Sequence, residues 1–313
     1  PVWQRGLLDI LFARHRLENY MAENVDKVEK NFHLDKPFAN NKGFYLKGAN
    51  DLDWGMKKHL ANIFDPKSGN TVMFAFDHGY FMGPATGLER LDLLLPELAP
   101  YMDCMMGTRG IIRTCLPPEA VANKGIALRV SAGSSMVQDD LSHEVVNVDI
   151  DDAIRMNADC MAVQVFIGAD GQLESLDNVN QVINAGLAYD IPTMGVTAVG
   201  KDMERTSRYF ELATRIIAEM GVQIVKTYQC DEFEKVVAGC PVPIVVAGGK
   251  KLAEPDALAL AYDVMRKGAH GVDMGRNIFQ SPHPIEMAKA IRMIVHEGAT
   301  DKEAWEFYQD AIH

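Results

Sequence analysis

The sequence predicts an α/β protein, a (β/α)8 TIM barrel with an N-terminal arm and C-terminal helices. Eight short apolar runs recur along the chain, and most lack the period-2 alternation of a half-exposed strand. Near-continuous apolar strands are typical of a parallel sheet that is buried on both faces. Helical periodicity separates several of the runs, and eight strand-helix units over about 200 to 250 residues match a closed barrel. An open doubly wound sheet is the alternative, but no GxGxxG motif follows the first run.

The predicted strands follow one another in the order of a repeating strand-helix unit. They are TVMFAFD from 71, DCMMG from 103, IALRVSA from 126, CMAVQVFI from 160, TMGVTA from 193, IVKTYQ from 224, IVVAGG from 244 and GVDMGRN from 271. The clearest helix lies between Asp202 and Gly221, where apolar side chains share one face and the glycine provides a natural end. We interpret residues 1–65 as the N-terminal arm and residues 66–313 as the barrel catalytic domain, with closing helices from Pro282 onward.

Composition and charge argue against several classes of protein. The 313 residues include 48% hydrophobic and 24% charged residues, an ordinary globular balance with ample length for a large core. A net charge of -12 argues against a nucleic acid as partner. No apolar run approaches the roughly 20 residues that cross a bilayer, and the N-terminal segment lacks a small-residue cleavage site. We therefore expect a cytoplasmic protein without a membrane partner.

The cysteines and histidines give no sign of a disulfide framework or a metal centre. The five cysteines stand at 104, 115, 160, 230 and 240, an odd set without a CxxC pair, and this pattern fits reduced thiols. The nine histidines are scattered and form no HExxH motif. We therefore expect neither a metal nor a resident cofactor.

Lys226 is the sharpest chemical signal, because it stands in the middle of the apolar run QIVKTYQC, residues 223–230. In a barrel of this type the active site lies at the C-terminal ends of the strands, where this lysine is expected. Burial of an amine among apolar residues lowers its pKa, and a neutral amine can attack a carbonyl to form a Schiff base. The alternative is a structural lysine that pairs with a strand-end carboxylate such as Asp77.

Asp77 and His78 close the first predicted strand. A carboxylate and an imidazole at a strand end can move protons or hold Lys226 in place. The alternative is that Asp77 caps the following loop and that His78 only packs.

Two glycine-rich segments, GGK from 248 and GRN from 275, close the seventh and eighth predicted strands. Glycines expose backbone N–H groups to an anion, and Lys250 or Arg276 adds positive charge. Barrels of this type often bind phosphate after these two strands, although either segment alone is also a common turn. Together they predict a phosphate site made by Gly248, Gly249, Lys250, Gly275 and Arg276.

Four segments resemble the class I aldolase family of the archaeal fructose-bisphosphate type: FDHGYFMGP from 76, IVKTY from 224, AGGKK from 247 and VDMGRNIFQ from 272. Longer segments, among them LKGANDLDWGM and GVDMGRNIFQSPHP, are similar to a thiolase branch of that family, and the resemblance covers residues 21–313. It implies that Lys226 is the Schiff-base lysine, that Asp77 is the aspartate of strand 1, and that the glycine segments hold a phosphate.

The resemblance also implies a decameric cytoplasmic enzyme that degrades the quorum-sensing signal autoinducer-2. It would transfer acetyl from 3-hydroxy-2,4-pentadione 5-phosphate to coenzyme A, its co-substrate, and give acetyl-CoA and dihydroxyacetone phosphate. Aldolases of the family carry a proton-transferring tyrosine at the end of strand 5, where this sequence has Thr197. Threonine is a far weaker proton carrier than a phenol, so we expect acyl transfer rather than aldol cleavage. The alternatives are a class I aldolase acting on a sugar phosphate and a non-catalytic sugar-phosphate-binding protein.

Overall fold

The computed structural model describes residues 12–16, 33, 35–36, 43–198 and 204–313. The chain divides into two compact units, Pro1–Gly43 and Phe44–His313. In the first unit, residues 12–16 are helical and exposed. The second unit holds the barrel.

Eight parallel strands form a closed barrel in the second unit. In chain order they are β1 Thr71–Ala75, β2 Cys104–Thr108, β3 Gly125–Arg129, β4 Cys160–Val165, β5 Thr193–Thr197, β6 Ile224–Tyr228, β7 Ile244–Ala247 and β8 Gly271–Met274. Each strand pairs with the next along the chain, and β8 pairs with β1 to close the ring. The predicted (β/α)8 barrel is confirmed, because each of the eight apolar runs contributes one strand.

Helices lie before, between and after the strands. They are α1 Trp54–Ile63, α2 Gly79–Met82, α3 Leu91–Leu98, α4 Arg109–Cys115, α5 Ile150–Arg155, α6 Gln172–Ala188, α7 Ser207–Met220, α8 Phe233–Gly239, α9 Glu254–Arg266, α10 Arg276–Phe279, α11 Pro284–Arg292 and α12 Asp301–Ala311. Short 3-10 turns occupy Ala99–Tyr101 and Pro118–Val121, and a π-helical turn occupies Met293–Glu297. The closing helices that the sequence predicts after Pro282 are α11 and α12.

The helix predicted to end at Gly221 is α7. The hydroxyl of Thr206 accepts a hydrogen bond from the backbone N–H of Tyr209 at 3.3 Å and so caps the first turn. At the other end Gly221 has a φ of 109°, in the left-handed region that glycine adopts without strain. The predicted start at Asp202 lies outside the described residues.

Alternate residues of each strand point into the barrel, where small and medium-sized apolar side chains fill the space. These buried residues are Met73, Ala75, Cys104, Met106, Ala127, Cys160, Ala162, Met194, Val196, Ile224 and Val245. The other faces of the strands contact the surrounding helices in a larger apolar cluster. Three charged residues of the strands, Arg129, Lys226 and Asp273, are buried as well. Asp273 pairs in register with Met73, and Lys226 pairs with Val196 and Val245.

Helix α1 closes the N-terminal end of the barrel. Leu60, Ile63 and Phe64 are fully buried and belong to the same apolar cluster as the barrel interior. Residues 44–65 therefore pack with the barrel, whereas the sequence interpretation assigned them to the arm. A short amphipathic helix ahead of the first strand gives no sequence sign of which surface it covers.

A short antiparallel hairpin, Ser131–Ala132 paired with Val145–Val146, follows β3. Its loop, residues 133–144, contributes to a cavity that Tyr80 and Gln164 also line. The sequence analysis interpreted 126–132 as one strand and did not predict the hairpin, because strands of two residues show no periodicity. The loop supplies one wall near the C-terminal ends of the strands.

Membrane-spanning helices and metal-binding clusters were sought in the part of the chain that the structure describes. No helix within these ranges is long and apolar enough to cross a membrane. Nor does any group of three or more His, Cys, Asp or Glu side chains in the described ranges lie where it could hold a metal ion. The five cysteines are all unpaired, and four of them are buried.

Candidate active site

A cavity of about 310 Å³ opens at the C-terminal end of the barrel. Strand ends and the loops that follow them form its wall, which is where (β/α)8 barrels carry their active sites. The structure brings together seven of the predicted site residues here: Asp77, His78, Lys226, Gly248, Gly249, Gly275 and Arg276.

Lys226 projects from β6 into this cavity and is only 7% exposed. Its Nζ lies 2.8 Å from Oδ2 of Asp273 on β8 and 3.5 Å from the sulfur of Met106. Burial raises the pKa of Asp273, and the neighbouring lysine opposes that shift. The sequence analysis named Asp77 as the possible partner, but the carboxylate in contact is Asp273. A lysine and a carboxylate buried together can exchange a proton and become a neutral pair.

Asp77 lies directly after β1, and Arg129 of β3 holds it in place. Its Oδ2 accepts a hydrogen bond from Nη1 of Arg129 at 3.3 Å, between side chains that are 9% and 3% exposed. The carboxylate is therefore a fixed, partly desolvated group on the wall of the cavity. This position suits a group that moves a proton more than one that caps a loop.

His78 stands beside Asp77, with Nδ1 3.7 Å from Oδ1, too far for a hydrogen bond. Burial lowers the pKa of His78, although Asp77 opposes the shift, so the neutral imidazole predominates at neutral pH. The ring packs edge-on against Phe279 at 5.3 Å between centroids. Its Nδ1 has no hydrogen-bond partner among the described residues. His78 therefore both packs and presents a proton acceptor at the site.

A network of buried polar side chains centres on Arg129. Its Nη2 donates to both carboxylate oxygens of Glu144 at 2.9 Å and to Oε1 of Gln164 at 2.5 Å. The hydroxyl of Tyr80 lies 2.6 Å from the same nitrogen and donates to Glu144 at 2.7 Å. A buried cation with this many partners is well satisfied, so the network fixes both Asp77 and Tyr80 at the cavity wall.

The sequence analysis did not single out Asp273, Arg129, Tyr80, Glu144 or Gln164. Two of them carry the same signal as Lys226, since Arg129 in IALRVSA and Asp273 in GVDMGRN are charged residues inside apolar runs. The other three give no such signal, because only the closed barrel and the hairpin bring them together.

The two glycine-rich segments meet at the rim beside β7 and β8. The side-chain amide of Asn277 donates to the backbone oxygen of Gly248 at 2.8 Å and so ties one segment to the other. At Gly275 a Cβ atom would lie 2.6 Å from the backbone oxygen of Ala75, so only glycine fits this close approach. Arg276 lines the cavity, and its buried Nε has no hydrogen-bond partner among the described residues. An unpaired cationic donor between glycine turns is suited to an anion.

Lys250 does not line the cavity and is exposed, so its predicted contact with a phosphate is not placed by the structure. Gly249 has a φ of +70°, and the turn there carries the next side chain outward. Positive charge on this rim comes also from Arg205, whose guanidinium stacks on the ring of Tyr228 at 4.4 Å. A Cβ atom on Gly249 would lie 3.9 Å from Nη1 of Arg205. No sequence motif pointed to this arginine.

Thr197 lies on the helix-facing side of β5, so the expectation that it stands in the site is wrong. Its hydroxyl donates to Thr227 Oγ1 at 2.8 Å and lies 3.1 Å from the backbone oxygen of Lys226. The residues of this strand end that line cavities are Val196 and Ala198. Neither of these side chains has a group that can transfer a proton.

The barrel, the buried lysine and the glycine rim define an enzyme of the lysine-dependent aldolase type. The chain belongs to the DeoC/LacD family of aldolases, whose family model matches residues 71–281. This match includes every described residue that lines the lysine cavity.

Several relatives align with this chain over nearly their whole length. The chain is 52% identical over 290 residues to the 3-hydroxy-5-phosphonooxypentane-2,4-dione thiolase of Escherichia coli O139:H28. The alignment spans 92% of this chain and 98% of that protein. The chain is 53% identical over 290 residues, with the same coverage, to the thiolase of the same name from Salmonella typhimurium. An uncharacterised aldolase of Pasteurella multocida is 54% identical over 292 residues, 93% of this chain and 99% of that one.

Solved structures of aldolases share the fold. An archaeal fructose 1,6-bisphosphate aldolase superposes with a TM-score of 0.70 at 22% identity. The superposition covers 78% of this chain and 100% of the aldolase. A fructose-bisphosphate aldolase from Slackia heliotrinireducens gives a TM-score of 0.73 at 17% identity, over 88% of this chain and 96% of that one. Both carry the same barrel as this chain.

Proposed function

We propose that this protein is a thiolase that transfers the acetyl group of 3-hydroxy-2,4-pentadione 5-phosphate to coenzyme A. The products are acetyl-CoA and dihydroxyacetone phosphate. The observation that carries the proposal is the amine of Lys226, buried in the cavity 2.8 Å from a carboxylate and beside a glycine rim suited to phosphate. The thiolases of the same family, at 52% and 53% identity, support this substrate and this acceptor.

Schiff-base formation begins with a neutral amine at Lys226. Asp273 can take the proton across their 2.8 Å contact, since burial raises the pKa of this carboxyl group even against the opposing lysine. The transfer neutralises both groups in one step, so the amine becomes a nucleophile and no unpaired charge is left in the cavity. The amine then adds to the ketone next to the phosphomethyl group, and loss of water gives an iminium.

The phosphate holds this ketone in place. Arg276, with an unpaired buried Nε, and the backbone N–H groups of the glycine segments bind the anion at the rim. Because one end of the substrate is fixed, its ketone lies beside the lysine in the reactive orientation, and less entropy is lost in the reaction step.

The bond that breaks joins the acetyl carbon to the hydroxyl-bearing carbon. The thiolate of coenzyme A adds to the acetyl carbonyl, and the departing electron pair enters the iminium to form an enamine rather than a free carbanion. Asp77 or His78 returns a proton to the enamine carbon, and hydrolysis frees Lys226. His78 suits removal of the thiol proton, because burial lowers its pKa and keeps a neutral imidazole ready to accept one.

A class I aldolase acting on a sugar phosphate is the second candidate, and family membership favours it. Aldol cleavage needs a group that removes the proton of the substrate hydroxyl. Val196 and Ala198 at the end of β5 cannot do so, and the hydroxyl of Thr197 contacts Thr227 on the helix-facing side. With a thiol acceptor the proton to be removed is that of the more acidic thiol, which the neutral imidazole of His78 can accept, and this supports the thiolase.

We further propose a biological role, an assembly state and a cellular compartment for the enzyme. The enzyme degrades phosphorylated autoinducer-2 and so ends a quorum-sensing signal, as a homodecamer in the cytoplasm. It uses coenzyme A as a co-substrate and no resident cofactor. The unpaired cysteines fit a reducing compartment.

The test combines trapping with product analysis. Incubation with dihydroxyacetone phosphate and borohydride should leave a reduced adduct on Lys226, located by intact mass and peptide mapping. Lys226→Ala should abolish both the adduct and turnover, while Lys235→Ala, which removes an exposed lysine on α8, should change neither. With the diketone phosphate, acetyl-CoA should form only when coenzyme A is present. Aldehyde release without coenzyme A would establish the aldolase, and binding without an adduct would leave a sugar-phosphate-binding protein.

A further inference from the structure

A second cavity, of about 450 Å³, adjoins the lysine cavity. Five residues line both of them: Tyr80, Phe81, Met136, Gln164 and Tyr228. The two spaces therefore border each other at the C-terminal end of the barrel, along these five side chains. Nothing in the lysine chemistry described above occupies the second cavity.

The second cavity lies on the side of the barrel opposite the phosphate rim. The rest of its lining follows β3, β4 and β5, in the hairpin loop 133–144 and at Phe166 and Ala198. The phosphate rim follows β7 and β8, and β4, in the middle of the second cavity's wall, lies four strands from β8 around the ring of eight. A substrate whose phosphate is bound at that rim therefore directs its acetyl end toward the second cavity.

The lining is apolar where it is most open. Phe81, Met136, Leu141 and Phe166 contribute aromatic and aliphatic surface. Met136 is 60% exposed and Leu141 is 37% exposed, although both are large apolar side chains. Apolar side chains left open around a concave site are typical of ligand pockets.

The charges of this cavity disfavour a second phosphate. The charged side chains among its described lining residues are the carboxylates of Asp139, Asp140 and Glu144. Arg129 neutralises Glu144 at 2.9 Å, and Asp140 accepts hydrogen bonds from Ser142. The cavity suits a slender uncharged chain with amide groups, for which Ser134 and Gln138 offer polar contacts.

We propose that the second cavity is the channel for the pantetheine arm of coenzyme A, with the thiol at the wall shared with the lysine cavity and the nucleotide outside the loop 133–144. The inference rests on the proposed thiolase function and names the residues that hold its acceptor. From this side the sulfur forms its bond to the acetyl carbon, the carbon-carbon bond breaks, and the electron pair of that bond enters the iminium to form an enamine. The proton of the thiol ends on the enamine carbon.

The experiment compares two variants, each of which introduces one new aspartate into the loop 133–144. Leu141→Asp places a charge in the channel, whereas Val137→Asp places the same charge on a side chain that is 89% exposed and lines neither cavity. Repulsion of the nucleotide is thus similar in both variants. Relative to Val137→Asp, we expect Leu141→Asp to raise the KM for coenzyme A about tenfold, with kcat similar in the two variants. The KM for pantetheine, which lacks the nucleotide, should rise in the same way.

The adduct of dihydroxyacetone phosphate on Lys226 provides the internal check, and it should form in both variants. If it is lost in Leu141→Asp, the neutral Leu141→Gln repeats the comparison. Equal KM values for the two aspartate variants would contradict the proposed pantetheine channel. So would a KM that rises for coenzyme A but not for pantetheine. Absence of coenzyme A-dependent turnover in the wild-type enzyme would instead refute the thiolase function itself.

Discussion

Asp273→Asn should destabilise the protein strongly, because it leaves the ammonium group of Lys226 buried without its counter-ion. The remaining contact of the amine is the sulfur of Met106 at 3.5 Å, a weak acceptor. Removing one partner of a buried ion pair costs about 3–5 kcal/mol.

Urea unfolding of four proteins measures this coupling: the wild type, Asp273→Asn, Lys226→Met and the double variant. We expect the free energy of unfolding of Asp273→Asn to fall by about 3–5 kcal/mol. The double variant should recover most of the loss, since neither charge then remains in the barrel. A loss below about 1 kcal/mol, or a double variant less stable than Asp273→Asn, would show that the 2.8 Å pair is not the isolated buried pair that the structure indicates.

Two further predictions concern the phosphate rim and the N-terminal end of the barrel. Arg276→Ala should weaken binding of dihydroxyacetone phosphate, measured by calorimetry, about 10- to 100-fold, because it removes a charge-assisted hydrogen bond worth about 1.5–3 kcal/mol. Lys250→Ala, at an exposed position, should change it less than threefold, and equal losses would contradict the placement of the rim. Although burial opposes it, His296 and Arg292 hold the pKa of Asp103 below its ordinary value. A carboxylate with a lowered folded pKa stabilises the fold above its unfolded pKa of about 3.9 and loses that contribution as the pH falls through the folded value. Urea stability measured from pH 6 to pH 3 should therefore fall more steeply in the wild type than in Asp103→Asn, and parallel curves would refute the assignment.

The barrel could be predicted because its evidence is local in the sequence. Each strand is a short apolar run, and each run is buried on both faces, so that the pattern is visible without knowledge of its neighbours. The hairpin at Ser131–Ala132 and the position of α1 could not be predicted in this way. Their places depend on which surface they cover, and the sequence of a short element does not state this.

The site was predictable only in part, because its chemistry depends on which face of a strand a side chain occupies. Lys226 stands in the middle of its strand, where the alternation of faces is fixed by the apolar neighbours. Thr197 stands at a strand end, and a shift of one residue moves a side chain from the cavity to the helix side. Lys250 lies outside the cavity lining, directly after Gly249, whose φ of +70° marks a turn that no motif shows.

The distribution of charge around the barrel mouth orients the substrate and thereby selects the reaction. On the side of β7 and β8, Arg276 and Arg205 attract the phosphate, and on the opposite side Asp139 and Asp140 repel it. Because the like-charged wall opposes the reverse orientation, the ketone beside the phosphomethyl group meets the lysine and the acetyl end faces the second cavity. Cleavage of the bond to the acetyl carbon needs a nucleophile at the acetyl carbonyl, and the second cavity gives it a route to that carbon. This route and the apolar side chains at the end of β5 together favour acyl transfer over aldol cleavage.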